Sequence, residues 1–175
     1  LHYENCNFTN VCINKSINTL ILDNSNIKFI NNKFFETLNE LCIFNCGDIY
    51  KDSILLNGFN RLDIICIKNC IIQKSMLDKI IDSKTLISLH LENVDIDNEY
   101  EIDFNNLNFF KYIYLYNIPK LSLKFTTYRS ISNFFDNTYN VICNVKTITV
   151  NKGLEKYIEQ MNINNNIEDI IEHVV

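Results

Sequence analysis

The chain has 175 residues, of which 47% are apolar and 21% charged, enough for one domain with a buried core and too apolar for a disordered protein. Its net charge is −5 and no segment concentrates Lys or Arg, so nucleic acid and acidic lipid surfaces are disfavoured as partners. No apolar run approaches the roughly 20 residues that a membrane-spanning helix needs, so we expect no membrane span.

Residues 1–16 precede the regular part of the chain, and Val11-Cys12-Ile13 predicts a short capping strand there. An apolar pattern then recurs between residues 17 and 118. The first, fourth and sixth positions of five segments are apolar, and their fourth positions lie 21, 24, 24 and 24 residues apart. One variable residue and then an asparagine follow each segment. The segments are Ile17–Leu22, Leu38–Ile43, Leu62–Ile67, Leu86–Leu91 and Phe110–Leu115, and the asparagines are Asn24, Asn45, Asn69, Asn93 and Asn117.

This pattern resembles the leucine-rich repeat family, whose repeats have the form L-x-x-L-x-L-x-x-N/C-x-L. The resemblance implies an α/β solenoid, a horseshoe with a parallel concave β-sheet and with loops and short helices on its convex side. A parallel β-helix is the main alternative, but the 24-residue period and the large apolar residue three places before most first positions favour the horseshoe. The sequence departs from the family at the ninth position, where only two cysteines fit the pattern and asparagine stands one place early. We expect these asparagines to bond the backbone where each strand turns away. The ninth positions hold Ser25, Cys46, Cys70, Val94 and Ile118.

The rest of the domain is less regular. Ser75-Met-Leu-Asp78 has the spacing of a capping box and predicts a short helix beginning there. Residues 119–152 hold an irregular or inserted repeat, in which Val145-x-x-Ile148-x-Val150 fits the strand pattern again. Apolar residues at helical spacing in 153–175 predict a helical C-terminal cap. Residues 1–175 are thus predicted to be one domain: an N-terminal cap (1–16), regular repeats (17–118), the irregular repeat and the helical cap.

Outward side chains should form rows, because equivalent positions in neighbouring strands lie about 4.8 Å apart. We expect the concave face to bind a protein or peptide, since tyrosines are enriched in binding hot spots and exposed apolar side chains cluster on this face. The alternative is that tyrosines are simply good strand formers. The predicted partner-binding residues are Phe44, Ile64, Lys68, His90, Glu92, Tyr112, Tyr114 and Tyr116.

Cys66 should lie beside His90 in one of these rows, with Cys42 one strand further. A thiolate activated by imidazole and a three-ligand zinc site are therefore two further hypotheses. A cysteine nucleophile also needs an orienting group and an oxyanion hole, and zinc needs four ligands or three and water. A flat row of parallel side chains does not converge on one point, so we predict no catalytic site, no metal, no cofactor and no enzymatic activity.

The resemblance also bears on Cys6 and Cys12, because extracellular leucine-rich repeat proteins often carry disulfides in this cap. Asn7-Phe-Thr9 and Asn14-Lys-Ser16 are glycosylation sequons, although such triplets arise by chance in an asparagine-rich chain. Seven cysteines is an odd number for an oxidising compartment. Because the sequence begins with Leu rather than Met, we expect a preceding segment, either a cleaved signal peptide or an expression boundary. Secretion is slightly favoured over the cytosol.

The composition indicates an AT-rich genome, since alanine is absent and Asn, Ile and Lys, which have AT-rich codons, are abundant. A parasite or a large virus would be such a source, and a secreted factor acting on host proteins would be a natural role by analogy. The alternative function is a structural or assembly component that associates through its ends or its convex side. The sequence specifies neither the partner nor the oligomeric state.

Overall fold

The computed structural model describes residues 1–8, 17–27, 37–49, 61–105, 110–135, 141–154, 156–157 and 171–174. Their fold is α/β, with one large parallel sheet and two helices of eight residues, α1 (Lys74–Ile81) and α2 (Tyr128–Phe135). The strands are β1 (His2–Glu4), β2 (Asn7–Phe8), β3 (Thr19–Asp23), β4 (Asn26–Ile27), β5 (Glu40–Ile49), β6 (Ile64–Ile72), β7 (Ser88–Ile96), β8 (Tyr100–Asp103), β9 (Tyr112–Phe125), β10 (Val141–Asn151) and β11 (Ile171–Val174).

The strands of the large sheet lie side by side in the order in which they occur along the chain. Its strand order is β1-β3-β5-β6-β7-β9-β10-β11, every pairing is parallel, and β8 pairs with the second half of β9. β2 and β4 form a separate parallel pair. The coarser part of the fold prediction, an α/β protein with a parallel sheet and few helices, is confirmed.

The core lies behind the fourth and sixth positions of the repeat, as the alternation of side chains along a strand requires. All ten of these side chains are at most 4% exposed, and they belong to one continuous apolar cluster. Helix α1 adds Met76, Leu77 and Ile80 to this cluster. The ten residues are Leu20, Leu22, Leu41, Ile43, Ile65, Ile67, Leu89, Leu91, Ile113 and Leu115.

β5, β6, β7 and β9 each contain an asparagine with a left-handed backbone, which divides the strand into a first and a second segment, and β3 is a first segment that ends just before Asn24. Six asparagines have a left-handed backbone with φ between 42° and 55°, a region that asparagine tolerates better than most residues. The expectation that these side chains bond the backbone is wrong, because they bond one another. The Asn69 Nδ2 donates to Asn45 Oδ1 at 2.8 Å, and Asn93 donates to Asn69 at 2.9 Å. We call this series the asparagine ladder; its members are Asn5, Asn24, Asn45, Asn69, Asn93 and Asn117.

The residue after each of the first four ladder asparagines carries a polar hydrogen. The Sγ atoms of Cys46 and Cys70 donate to the carbonyl two residues earlier, each at 3.1 Å, and the Ser25 hydroxyl does the same at 2.7 Å. Cys6 repeats the contact at 3.3 Å. Small polar side chains at the ninth position therefore add a second donor at carbonyl groups such as those of Asp23 and Phe44, which already accept the backbone N–H of a ladder asparagine in the preceding repeat.

Helix α1 begins earlier than the capping box predicts. Its N-cap is Gln73, which makes no side-chain cap bond, and Ser75 lies inside the helix. The backbone N–H of Lys74 instead donates to Asp97 Oδ1 at 2.8 Å. The expectation of a helix here is confirmed, but its first turn is satisfied by a side chain from the following repeat, which a local motif cannot reveal.

The irregular repeat has a different register from the predicted one. Val141–Cys143 pair with Tyr114–Tyr116 and so continue the first segments, and Val145 pairs with Ile118, just after the ladder asparagine of β9. Ile148 pairs with Leu123, in the second segment of β9, and is not the equivalent of Ile113. Three residues of β9, beginning at Pro119, face one residue of β10 at this register shift. A proline is tolerated there because residues at a register shift are unpaired, so its missing N–H leaves no hydrogen bond of the sheet unmade.

The C-terminal segment differs from the expected helical cap. Ile171–Val174 form β11 and pair with Ile148–Asn151 of β10, so the helix prediction is wrong for these four residues. A strand satisfies the backbone groups at the edge of β10, whereas a helix cannot. Most of the other residues in 153–175 lie outside the described part of the chain.

Candidate functional site

The outward side chains of the first strand segments form one surface, which we call the tyrosine face. It consists of the third, fifth and seventh positions of β3, β5, β6, β7 and β9, and the strand register places equivalent positions side by side. The third-position row is Thr19, Glu40, Ile64, Ser88 and Tyr112; the fifth is Ile21, Cys42, Cys66, His90 and Tyr114; the seventh is Asp23, Phe44, Lys68, Glu92 and Tyr116. The structure therefore brings together all eight predicted partner-binding residues.

Three charged or titratable side chains form a connected cluster at the centre of this face. The Glu92 Oε2 lies 2.7 Å from Lys68 Nζ and 3.1 Å from His90 Nε2. The carboxylate thus joins a side chain of its own strand to one of the neighbouring strand. Because both partners hold the same oxygen, the three side chains are held in one geometry.

The cluster shifts the pKa values of its members in opposite directions. Its ammonium and imidazole neighbours, Lys68 first, hold the pKa of Glu92 below its usual value, and Glu92 raises the pKa of Lys68. The pKa of His90 is lowered, mainly because burial disfavours the imidazolium and further because Lys68 is nearby, while Glu92 opposes this shift. His90 is therefore kept neutral at neutral pH, with Glu92 ionised and bonded to Lys68.

The tyrosines of β9 continue the cluster. The Tyr114 ring lies 4.2 Å from the His90 ring, centre to centre, at an interplanar angle of 37°. The Tyr116 ring stacks on Tyr114 at 6.3 Å. Tyr112 and Tyr116 are 44% and 38% exposed, and Ile64 is 38% exposed. Aromatic and aliphatic surface is thus open to solvent next to a fixed set of polar groups.

The opposite end of the face, on β3 and β5, is more polar. The Thr19 hydroxyl donates to Glu40 Oε2 at 3.1 Å, and the Cys42 thiol donates to Glu40 Oε1 at 3.6 Å. The Asp23 Oδ1 accepts from the Asn45 Nδ2 at 2.8 Å, so this carboxylate takes the place of an asparagine in the ladder. The carboxylates at this end have neutral partners, whereas Glu92 has a cationic one.

Strand β1 extends the tyrosine face, which the repeat pattern did not predict. His2 pairs with Ile21 and Glu4 with Asp23, so these two residues add one strand to the fifth and seventh rows. The segment Tyr3-Glu4-Asn5-Cys6 could have revealed this, because it repeats the asparagine–cysteine step found at residues 45–46 and 69–70. The 19-residue spacing from Asn5 to Asn24 is shorter than the later period, which concealed the repeat.

The two hypotheses of Cys66 and His90 chemistry gain no geometric support. The His90 Nε2 bonds Glu92 and its ring contacts Tyr114, so the imidazole is already engaged by groups other than a thiol. Within the residues that the structure describes, no three His, Cys, Asp or Glu side chains are grouped so that they could hold a metal ion.

The remaining N-terminal predictions stay predictions. Cys6 carries a free thiol in the structure, whereas Cys12 lies outside the described residues. The backbone of Asn7 belongs to β2. Asn14, like Cys12, lies outside the described residues. The position of Cys6 next to a ladder asparagine gives that thiol a role in the repeat that needs no disulfide.

Comparisons with known proteins do not assign the chain. It matches no family model, no curated protein and no solved structure. No helix among the described residues has the length and apolarity to cross a membrane. Any function must therefore be argued from the tyrosine face itself.

Proposed function

We propose that this chain is a leucine-rich repeat solenoid whose tyrosine face is a concave surface that binds a protein or peptide, without enzymatic activity. The 24-residue period, the ten buried fourth- and sixth-position side chains and the parallel in-register strands support the architecture. One repeat cannot bury its own apolar face, so stacking of repeats places the third, fifth and seventh positions side by side on the outside.

The observation that carries the binding proposal is the exposure of the β9 tyrosines beside the cluster of Lys68, His90 and Glu92. Tyr112, Tyr114 and Tyr116 project from one strand, and two of them are more than a third exposed. Grouped exposed apolar surface usually marks a contact site, and tyrosine provides large contact area at a low entropy cost. These residues contribute little to the core, so folding alone does not account for them.

The polar groups suggest how a ligand would be recognised. Lys68, Glu92 and His90 already pair with one another, so burying them under a partner does not leave an isolated charge. The phenol groups can still donate or accept hydrogen bonds at the rim. We therefore propose a ligand that places an apolar side chain over Ile64 and Tyr112 and polar backbone groups over the tyrosine hydroxyls.

Secretion and an encounter with host proteins form part of the same proposal. They rest on the composition and on the sequons of the N-terminal segment, and they supply a source in which to look for the partner. The alternative function, an assembly component that uses its ends or its convex side, would leave the tyrosine face unused.

Affinity capture from native or host extract tests the proposal. The bait proteins are the wild type, a Tyr112→Ser/Tyr114→Ser/Tyr116→Ser variant and an Ile71→Ser control, each first shown to be folded by circular dichroism and thermal melting. Ile71 is a suitable control because it is an exposed apolar residue, 42% accessible, on the second segment of β6 and therefore off the tyrosine face.

We expect a partner that binds the wild type and the control, and whose affinity for the tyrosine variant falls about 100-fold or more. A partner that binds all three proteins equally would reject the tyrosine face as the site. Self-association of all three proteins in sedimentation experiments would then favour the assembly function.

A further inference from the structure

Cys42 and Cys66 are direct partners across β5 and β6 at the fifth position of the repeat. Residues paired in this way have Cα atoms about 4.8 Å apart, which is within the range of roughly 4.4–6.8 Å that a disulfide spans. Their side chains leave the sheet on the same side, on the tyrosine face. The backbone therefore already has a spacing at which a disulfide can form.

The two thiols are neighbours on the same face of the sheet and differ in their environment. The neighbouring Cys66 thiol raises the pKa of Cys42, with burial and the Glu40 carboxylate adding to the effect, and the Cys42 thiol lowers the pKa of Cys66, with the Lys68 ammonium adding to the effect. Cys42 is only 6% exposed, whereas Cys66 is partly open to solvent. The solvent-accessible thiol is thus also the one whose thiolate is stabilised, which is the condition for a reactive cysteine.

The other cysteines whose side chains the structure describes are held differently. Cys46 and Cys70 donate to backbone carbonyl groups at the turns, and burial raises the pKa of both, that of Cys70 to about 11. Cys6 also bonds a backbone carbonyl. These thiols bond backbone carbonyl groups, whereas the Cys42 thiol lies beside Cys66 and donates to the Glu40 carboxylate.

We propose that Cys42 and Cys66 form a peroxide-responsive dithiol site, in which a hydroperoxide oxidises Cys66 and Cys42 completes a disulfide across β5 and β6. The proposal does not depend on the protein partner. It assigns a modification site to the middle of the tyrosine face.

The chemistry proceeds in two balanced steps. The Cys66 thiolate attacks one peroxide oxygen, the O–O bond breaks, and the products are a sulfenic acid on Cys66 and a hydroxide, or an alkoxide, that takes up a proton to give water or an alcohol. Cys42 then attacks the Cys66 sulfur, and the leaving hydroxide combines with the Cys42 proton as water. The two thiols lose two electrons in all, and the peroxide gains them.

Peptide mapping of the peroxide-treated protein tests the site. The reduced full chain is exposed to hydrogen peroxide, alkylated, digested with trypsin and analysed by mass spectrometry. Cleavage after Arg61, Lys68 and Lys74 places Cys66 and Cys70 in separate peptides, whereas residues 34–51 contain both Cys42 and Cys46. A Cys46→Ser variant removes this ambiguity, and serine is a fitting replacement because Ser25 occupies the same position of the repeat.

We expect a disulfide that joins peptides 62–68 and 34–51 in the wild type and in Cys46→Ser, with Cys66 oxidised about tenfold or more faster than Cys70. In Cys42→Ser, dimedone should trap a sulfenic acid on Cys66, and Cys66→Ser should abolish both products. A cross-link to the Cys70 peptide, faster oxidation of another cysteine, or persistence of free Cys42 and Cys66 in folded protein would each overturn the proposal.

Discussion

The two sides of the first strand segments differ in the variety of residue types that they carry. On the buried side, the fourth and sixth positions hold only Leu or Ile in five successive strands. On the tyrosine face, the same five strands present apolar, aromatic, acidic, basic and thiol side chains in one register. The difference indicates that burial constrains the inward positions of the repeat, whereas the outward positions are free to vary in chemistry.

The largest expected effect tests this division directly on β6. Ile67→Ala should lower the free energy of unfolding by about 3 kcal/mol, because it leaves a cavity in a fully buried part of the core. Ile64→Ala, on the other side of the same strand, should cost less than about 1 kcal/mol. Urea unfolding measures both values, and equal losses would show that the tyrosine face is also needed for stability.

The turn between the segments should give an intermediate effect. Asn69→Ala places alanine at φ 53° and removes two side-chain hydrogen bonds of the asparagine ladder, so we expect a loss of about 2 kcal/mol in the free energy of unfolding. Asn69→Gly removes the same bonds but accepts the left-handed backbone, and should lose about half as much. If both variants lose the same amount, the side-chain bonds dominate and the backbone conformation does not.

The smallest effect concerns the cluster of Lys68, His90 and Glu92. NMR titration measures it as a change in the pKa of His90. Glu92→Gln should lower this pKa further, because the carboxylate favours the imidazolium, and Lys68→Met should raise it, because a repelling ammonium is lost. Shifts of the same sign in the two variants would contradict the cluster geometry.

The same groups give the sign of the pH dependence of stability. The folded pKa of His90 is depressed, so the unfolded chain binds more protons, and stability falls as the pH drops through the unfolded pKa of about 6.5. The pKa of Glu92 is also depressed, so its contribution is present above its unfolded pKa and is lost as the pH falls through its folded value. Lys68→Met should reduce both contributions in urea unfolding measured across this range.

The sequence predicted the stack and its outward rows because burial enforces a strict alternation of side chains. It did not predict the asparagine contacts, since a repeated asparagine shows its spacing but not whether its amide meets a carbonyl group or another amide. The register of Val141–Val145 was also hidden, because the shift at Pro119 lengthens the spacing while a second apolar triplet imitates the pattern. Asp97 at the start of α1 belongs to the following repeat, beyond the reach of any local capping rule.

The asparagine ladder also affects how such a molecule can change in length. Asn69 and Asn93 each donate an amide hydrogen to the preceding repeat and accept one from the following repeat. A whole repeat can therefore be inserted or removed between them without leaving an unmatched donor, because the junctions on either side are the same amide-to-amide hydrogen bond. Duplication or deletion in steps of 24 residues would lengthen or shorten the outward rows while leaving these turns intact, so the length of the tyrosine face can evolve separately from its composition.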